Sequence, residues 1–260
     1  MKKILLIIAV TLIAVSCIKV KTTTTEVKRV SEIRQLNGFK AVAIDGSPKV
    51  CYKQDSVWSV KVYASEEMMP NVRTEVVGWC LKVSLKGDLP ISKEYKLKIG
   101  NKTIVGGGGE VDVVVSSPDL IGIGLNGSGV FIAEGKIDTD KLDVALRGSG
   151  EIECQDILCD TISIEAVGSG SVKLMKVDAL ASYASLVGSG DIKMWQQNVR
   201  QSAIQLKGSG DITVDFKDCG DVACDLQGSG DIRLSGNVET FKKETLGSGD
   251  YELARLSVSK

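Results

Sequence analysis

The sequence predicts an all-β fold, a β-solenoid (β-helix-like) of about seven coils of about 20 residues each. Three observations predict it. The tripeptide Gly-Ser-Gly begins at residues 127, 148, 168, 188, 208, 228 and 247, at steps of 21, 20, 20, 20, 20 and 19. The residues flanking each copy alternate apolar and polar, the period of a strand with one buried face. The same residue types return in the same columns of every copy, and a fixed period of this length means one unit stacked on the next.

After each tripeptide one inward column is expected from Phe131, Ile152, Val172, Ile192, Ile212, Ile232 and Tyr251. A second is Ala133, Cys154, Leu174, Met194, Val214, Leu234 and Leu253. Reading backwards from each tripeptide gives a further alternating strand, from Ile121/Ile123/Leu125 through Leu142/Val144/Leu146 to Val222/Cys224/Leu226. The last copy, Phe241/Lys243/Thr245, breaks the pattern as a terminal coil does. Each unit therefore predicts two strands and two bends, and seven coils at ~4.8 Å each give a stack roughly 30 Å long. A single coil buries too few aliphatic side chains to offset the ordering of its backbone, so neighbours must complete it.

The tripeptides are read as the corners. Their glycines are Gly127 and Gly129, Gly148 and Gly150, Gly168 and Gly170, Gly188 and Gly190, Gly208 and Gly210, Gly228 and Gly230, Gly247 and Gly249. Glycine reaches backbone angles that a Cβ forbids, and a column of glycines stacks without collision. A phosphate-binding loop would need a following helix, and strands follow here. Behind the last four corners stand Asp191, Asp211, Asp231 and Asp250, with Lys193, Thr213 and Arg233 two residues beyond the first three. These form a solvated acidic ladder partly neutralised by the bases. The Gly-Gly-X-Gly-X-Asp nonapeptide of calcium-binding rolls is missing, and no metal or other cofactor is expected.

Four segments are expected: residues 1–16 as a signal peptide, 17–29 as a lipidated cysteine and flexible tether, 30–117 as a β-rich segment that continues or caps the stack, and 118–260 as the repeat solenoid. Two lysines and the apolar run "ILLIIAVTLIAVS" precede Cys17. The run is too short to cross a bilayer as a helix. "AVSC" resembles a lipoprotein cleavage box, which implies lipid on Cys17 and a firm membrane anchor. "IKVKTTTTEVKRVSE" is polar and Thr-rich, as a tether is. In the β-rich segment, breaks at Asp45-Gly46-Ser47-Pro48 and near Gln54-Asp55 separate three strands, and "GWCLKVSL" adds one with Trp79, Leu81, Val83 and Leu85 on one face. Gly106 to Gly109 are read as a loop.

Composition excludes several functions. Histidine is absent, which removes Ser-His-Asp and Cys-His catalysis and the commonest metal ligand. A net charge of −1 argues against nucleic acid. Apart from Cys17 there are six cysteines. Cys51 and Cys80 lie opposite the apolar face of their strands and are candidates for a disulfide. Cys154, Cys159, Cys219 and Cys224 are core filler, since their C-x4-C spacing falls at different coil registers and is wider than a metal site uses.

"GFKAVAIDGSPKVCY", "GWCLKVSL", "SSPDLIGIGLNGSG" and the run of "GSGDI" units together resemble the auto-transporter adhesin head-domain (GIN domain) family of Bacteroidetes-type lipoproteins, over residues 30 to 258. The resemblance implies a β-helix-like fold on the cell envelope and supplies no catalytic residues. It also suggests O-glycosylation at Asp-Ser/Thr-aliphatic triplets, which match at Asp55-Ser56-Val57 and Asp160-Thr161-Ile162.

The expectation is a non-enzymatic, lipid-anchored protein of the cell envelope, at the outer membrane, with an adhesin-like outer face contacting a glycan or a protein. Trp195, Lys193 and Arg233 are its exposed candidates. The alternatives are a polysaccharide-active β-helix enzyme, and a structural scaffold that self-associates as a homo-oligomer through its last coil. Catalytic carboxylates normally interrupt a repeat, whereas those here obey it.

Overall fold

The computed structural model describes residues 29–86, 95–99, 102–106 and 111–260. Cys17, the leader and the tether lie outside the described residues, as do Gly107 to Gly109. Seventeen strands form one continuous sheet wound into a solenoid. The described residues contain no α-helix, only a 3-10 turn at Met69–Asn71.

The repeat region runs through β10 (Gly122–Gly127), β11 (Val130–Asp138), β12 (Lys141–Gly148), β13 (Glu151–Gly168), β14 (Ser171–Gly188), β15 (Asp191–Gln197), β16 (Gln201–Gly208), β17 (Asp211–Gly228), β18 (Asp231–Gly247) and β19 (Tyr251–Val258). All neighbours here pair in parallel. Phe131, Ile152, Val172, Ile192, Ile212 and Ile232 pair in one file and are almost fully buried.

The coil has three sides rather than two. In β13 the inward residues fall into three groups: Ile152/Cys154, Ile157/Cys159 and Ile162/Ile164/Ala166. Consecutive outward pairs, Gln155–Asp156 and Asp160–Thr161, separate the groups and turn the chain. β14 repeats the arrangement with Met175–Lys176 and Leu180–Ala181. Side A leads into the glycine corner, side B leaves it, and side C is the back. In β13 and β14 the strand runs through the two back bends without glycine, whereas the third corner carries glycine in every repeat.

The strands that precede the repeats carry the same stack further. β2 (Ala41–Gly46) lies under β10 in register, Gly46 under Gly127, and β3 (Lys49–Gln54) lies under β11. Gly46-Ser47-Pro48 is thus an additional corner. Pro48 replaces the second glycine because no glycine corner lies beneath it: the next rung, β6 (Cys80–Leu85) with β9 (Asp112–Ser117), is interrupted at that place by the segment carrying the β7 (Tyr95–Ile99) and β8 (Lys102–Gly106) hairpin. β4 (Ser59–Ser65) pairs antiparallel with β9, β1 (Arg29–Arg34) antiparallel with β4, and β5 (Val72–Val77) antiparallel with β6. The reversal of direction ends the parallel ladder and caps the stack. Side B holds eleven strands from β1 to β19, about 48 Å at ~4.8 Å per step.

Two apolar residues expected on inward faces are exposed. Ile121 is 36% and Trp79 is 72% exposed. Each immediately precedes a strand, Ile121 at the bend into β10 and Trp79 at the turn between β5 and β6, where the alternation no longer governs direction.

Two adjacent rungs carry polar groups in their interior. Gln196 is fully buried in the back column between Val177 and Phe216. Its amide donates to Ser182 Oγ at 2.9 Å, while its Oε1 and the buried Ser202 Oγ have no protein partner. An unpaired buried acceptor costs more than a made hydrogen bond returns. The double substitution Gln196→Leu with Ser182→Ala is expected to raise the unfolding free energy by about 1–2 kcal/mol, measured by urea denaturation. A loss of similar size would show that the amide is better satisfied than its contacts indicate.

Candidate ligand-binding face

Parallel in-register stacking converts residues 20 apart into neighbours one rung apart, so the outer face of each side is a set of columns. On side A the outward columns come into register as Ser163, Tyr183, Ala203, Ala223 and Lys242, and as Glu165, Ser185, Gln205, Asp225 and Glu244. Two alanines between a tyrosine and a lysine leave a depression. It is an open groove of about 690 Å³, floored by Ala203 and Ala223. Tyr183, 49% exposed, stands at one end. Lys242 stands three rungs away, ~14 Å by strand spacing.

Beside this floor the polar column is partly held in place. Gln205 Nε2 donates to Asp225 Oδ2 at 3.0 Å, and Gln227 Nε2 donates to the same oxygen at 2.8 Å. The two amides fix the carboxylate orientation. Asp225 Oδ1, Gln205 Oε1 and the Ser185 hydroxyl remain available to a ligand. The side-chain chemistry is one aromatic face next to a row of donors and acceptors.

Side B carries the residues singled out from the sequence. Asp191, Asp211 and Asp231 stack in register. Arg233 resolves the repulsion of this ladder: Nη1 donates to Asp211 at 2.8 Å, Nη2 to Asp231 at 2.8 Å and Nε to Glu252 at 2.8 Å. The hydrogen bonds it donates to Asp211 and Glu252 push its guanidinium further above the ordinary arginine range. Asp211 and Asp231 also accept the backbone N–H of Asp231 and Asp250 in the next coil. The place a cation would take between these aspartates is filled by arginine. No group of three or more Cys, Asp or Glu among the described residues is arranged to hold a metal. Lys193 is exposed, and Trp195 is 38% exposed on the same side. None of the three lines the side A groove.

The glycine corners position both sides. At the first glycine the backbone is left-handed, with φ between +123° and +134° from Gly127 to Gly247. The carbonyls of Gly127, Gly148, Gly188, Gly208 and Gly228 each accept two N–H groups from the corner above, as Gly188 does from Ser209 at 2.9 Å and Gly210 at 3.1 Å. The serines face outward, and Ser229 and Ser248 share a 3.0 Å hydrogen bond.

Cys51 and Cys80 are not joined: both are free thiols, on β3 and β6, which do not pair. The lateral neighbours of Cys51 are Val114 and Ile132, while Cys80 lies beside Ala41 and Val77, on a different side of the coil. Cys154, Cys159, Cys219 and Cys224 are buried. Burial pushes the thiols of Cys154, Cys159 and Cys224 up to about 12, far from a thiolate nucleophile at neutral pH. Ser56 lies in the exposed bend after β3, whereas Thr161 is half-buried within β13.

The groove was not foreseen from the sequence, although a signal existed. Tyr183, Ala203 and Ala223 occupy a column that elsewhere holds Asp143, Ser163 and Lys242.

Solved structures share this fold. A "putative adhesin" from Bacteroides fragilis NCTC 9343 superposes with a TM-score of 0.67 at 20% identity, covering 86% of this chain and 97% of that one. A "putative lipid binding protein" from Parabacteroides distasonis ATCC 8503 gives 0.65 at 20% identity, covering 86% and 96%. A "putative adhesin" from Parabacteroides merdae ATCC 43184 gives 0.57 at 19% identity, covering 86% and 95%. At these identities the likeness establishes the fold alone. Comparison with curated proteins finds no match. The family described as "Putative auto-transporter adhesin, head GIN domain" matches residues 38–219 and again 184–260. With the corner-stacked solenoid and a match over most of its length, the chain belongs to the auto-transporter adhesin head GIN-domain family.

Proposed function

We propose that this chain is a non-enzymatic, lipid-anchored adhesin of the outer membrane that recognises a glycan through the side A groove. Family membership supports an adhesin-like role at the cell envelope. The carrying observation is the groove itself, with Tyr183 at the end of an alanine floor beside the Ser185, Gln205, Asp225 and Glu244 column. A sugar ring offers an apolar C–H face and a rim of hydroxyls. The tyrosine ring packs on the first, and the amide, carboxylate and hydroxyl groups satisfy the second.

The carboxylates of the groove favour recognition over catalysis. Asp225 is clamped as an acceptor by two amides, and the others follow the stacking register. Self-association through the last coil finds an obstacle in Lys243. It occupies an inward column above Cys224, with its ammonium 5.1 Å from the Tyr251 ring centre. An inward-pointing charge at the end of a ladder opposes edge-to-edge pairing.

The full chain, screened against a glycan panel and then titrated with the best binder, is expected to lose at least tenfold in affinity on Tyr183→Ala, roughly 1.4 kcal/mol. Trp195→Ala on side B is expected to leave affinity unchanged. Equal affinities for Tyr183→Ala and the parent chain would remove the groove from consideration. Binding of envelope proteins, with no glycan binder on the panel, would replace the glycan with a protein ligand.

A further inference from the structure

The cap end carries an exposed aromatic corner that side A does not use. Trp58 Nε1 donates to Phe39 O at 2.9 Å, and the next residue, Lys40, donates its N–H to Trp79 O at 2.8 Å. Phe39–Lys40 thus ties both tryptophans to one corner. Val57, Trp58, Val77 and Trp79 are all exposed there, Trp79 most of all. Val77 and Trp79 flank Gly78 at the tip of the β5–β6 hairpin, where a Cβ on the glycine would meet nothing within 4 Å. The tip is convex and unsupported, so it does not form a pocket.

The chain enters the fold at this same end. Arg29 opens β1, the outermost strand of side B, which pairs with β4. About 12 residues separate Cys17 from Arg29, a reach of at most ~40 Å. The opposite end of the stack lies a further ~48 Å away along side B. A tether attached here holds the cap close to whatever anchors Cys17.

We infer that the cap end faces the membrane and that Val57, Trp58, Val77 and Trp79 seat in its headgroup layer, with the side A groove presented outward. This rests on the reading that Cys17 carries lipid. Indole is amphipathic and settles at the boundary between hydrocarbon and water. A convex apolar tip fits a soft lipid surface, and Lys40 at the same corner has its ammonium 3.3 Å from Asp119. The tether supplies a high effective concentration, so a contact of four side chains suffices.

The three tryptophans provide the test. Trp79 precedes β6, whose rung continues as β9 on side B, and β9 lies five strand steps from β15, which carries Trp195, about 24 Å along the stack. Three single-tryptophan forms of the full chain would be reconstituted into phosphatidylethanolamine–phosphatidylglycerol vesicles containing a dibrominated phosphatidylcholine. They keep Trp79 (Trp58→Phe with Trp195→Phe), Trp58 (Trp79→Phe with Trp195→Phe) or Trp195 (Trp58→Phe with Trp79→Phe). The expected result is a blue shift and at least twofold quenching of Trp79, lesser quenching of Trp58 and none of Trp195. Flotation of the vesicles reports the anchor separately. Chain that floats while Trp79 is quenched no more than Trp195 overturns the inference and leaves the anchor intact. Chain that does not float overturns both. Trp79 shielded by envelope proteins, yet untouched by vesicles, overturns the lipid assignment in favour of a protein partner.

Discussion

Gly208→Ala is expected to lower the unfolding free energy by about 4 kcal/mol, among the largest effects of any single methyl group in this chain. Two costs combine. Gly208 sits at φ +131°, a conformation that side chains rarely adopt. An added Cβ would also stand 2.2 Å from the carbonyl oxygen of Gly188 in the coil below. Relief requires the coils to separate at the corner, which breaks the hydrogen bonds from Ser209 and Gly210 to that oxygen. Gly210→Ala meets a similar obstruction, 2.2 Å from Gly190 O, without a positive φ. Gly135→Ala is the control: its φ is +78° and nothing lies within 4 Å of the added carbon. It is expected to cost only about 1–2 kcal/mol. Chemical denaturation of the three variants decides the matter. Equal losses at Gly135 and Gly208 would mean that backbone conformation alone, and not the contact between coils, sets the corner.

Removing one whole coil is expected to leave a folded protein, whereas removing half a coil abolishes folding. Deletion of residues 209–228 joins Gly208 to Ser229 and sets Ile232 directly above Ile192 in the same inward file. Asp231 then stacks above Asp191, so Arg233 keeps Asp231 and Glu252 and gains Asp191 in place of Asp211. The cost is one repeat and one interface, about 3 kcal/mol, or roughly 6–12 °C in Tm. Deletion of residues 209–218 instead joins Gly208 to Cys219, so the strand leaving the corner is lost and the back of the next coil takes its place. Circular dichroism and thermal melting distinguish the two. A whole-coil deletion that fails to fold would show that the rungs are not interchangeable, and that Gln196 and the bulges on the back bind specific neighbours.

The legible part of the fold was the part set by strict alternation. Inward columns such as Ile192, Ile212 and Ile232 could be read because each strand leaves the corner in the same register. The back side escaped. Its inward residues, Ile157 and Cys159 in one coil and Gln196 and Val199 in another, are offset by consecutive outward pairs and bulges. That spacing obeys neither a strand nor a helix period. In the sequence Gly46-Ser47-Pro48 is only a break between strands, and its pairing with Gly127 makes it a corner of the same stack. The proline hid it, admitted where the glycine column ends.

The groove depended on the structure in a different way. Tyr183, Ala203 and Ala223 look unremarkable singly, and their columns could be aligned by counting. Which side curves outward, and where two small residues open a floor, follows from how three sides close around one core. By itself, the sequence determined the repeat, the corner chemistry and the buried files, because a period of 20 residues and a glycine at a crowded hinge are local constraints written into every coil. Only the tertiary structure decided the third side, the antiparallel cap and the groove, because these arise from contacts between segments whose separation in the chain is set by insertions and bulges rather than by any period.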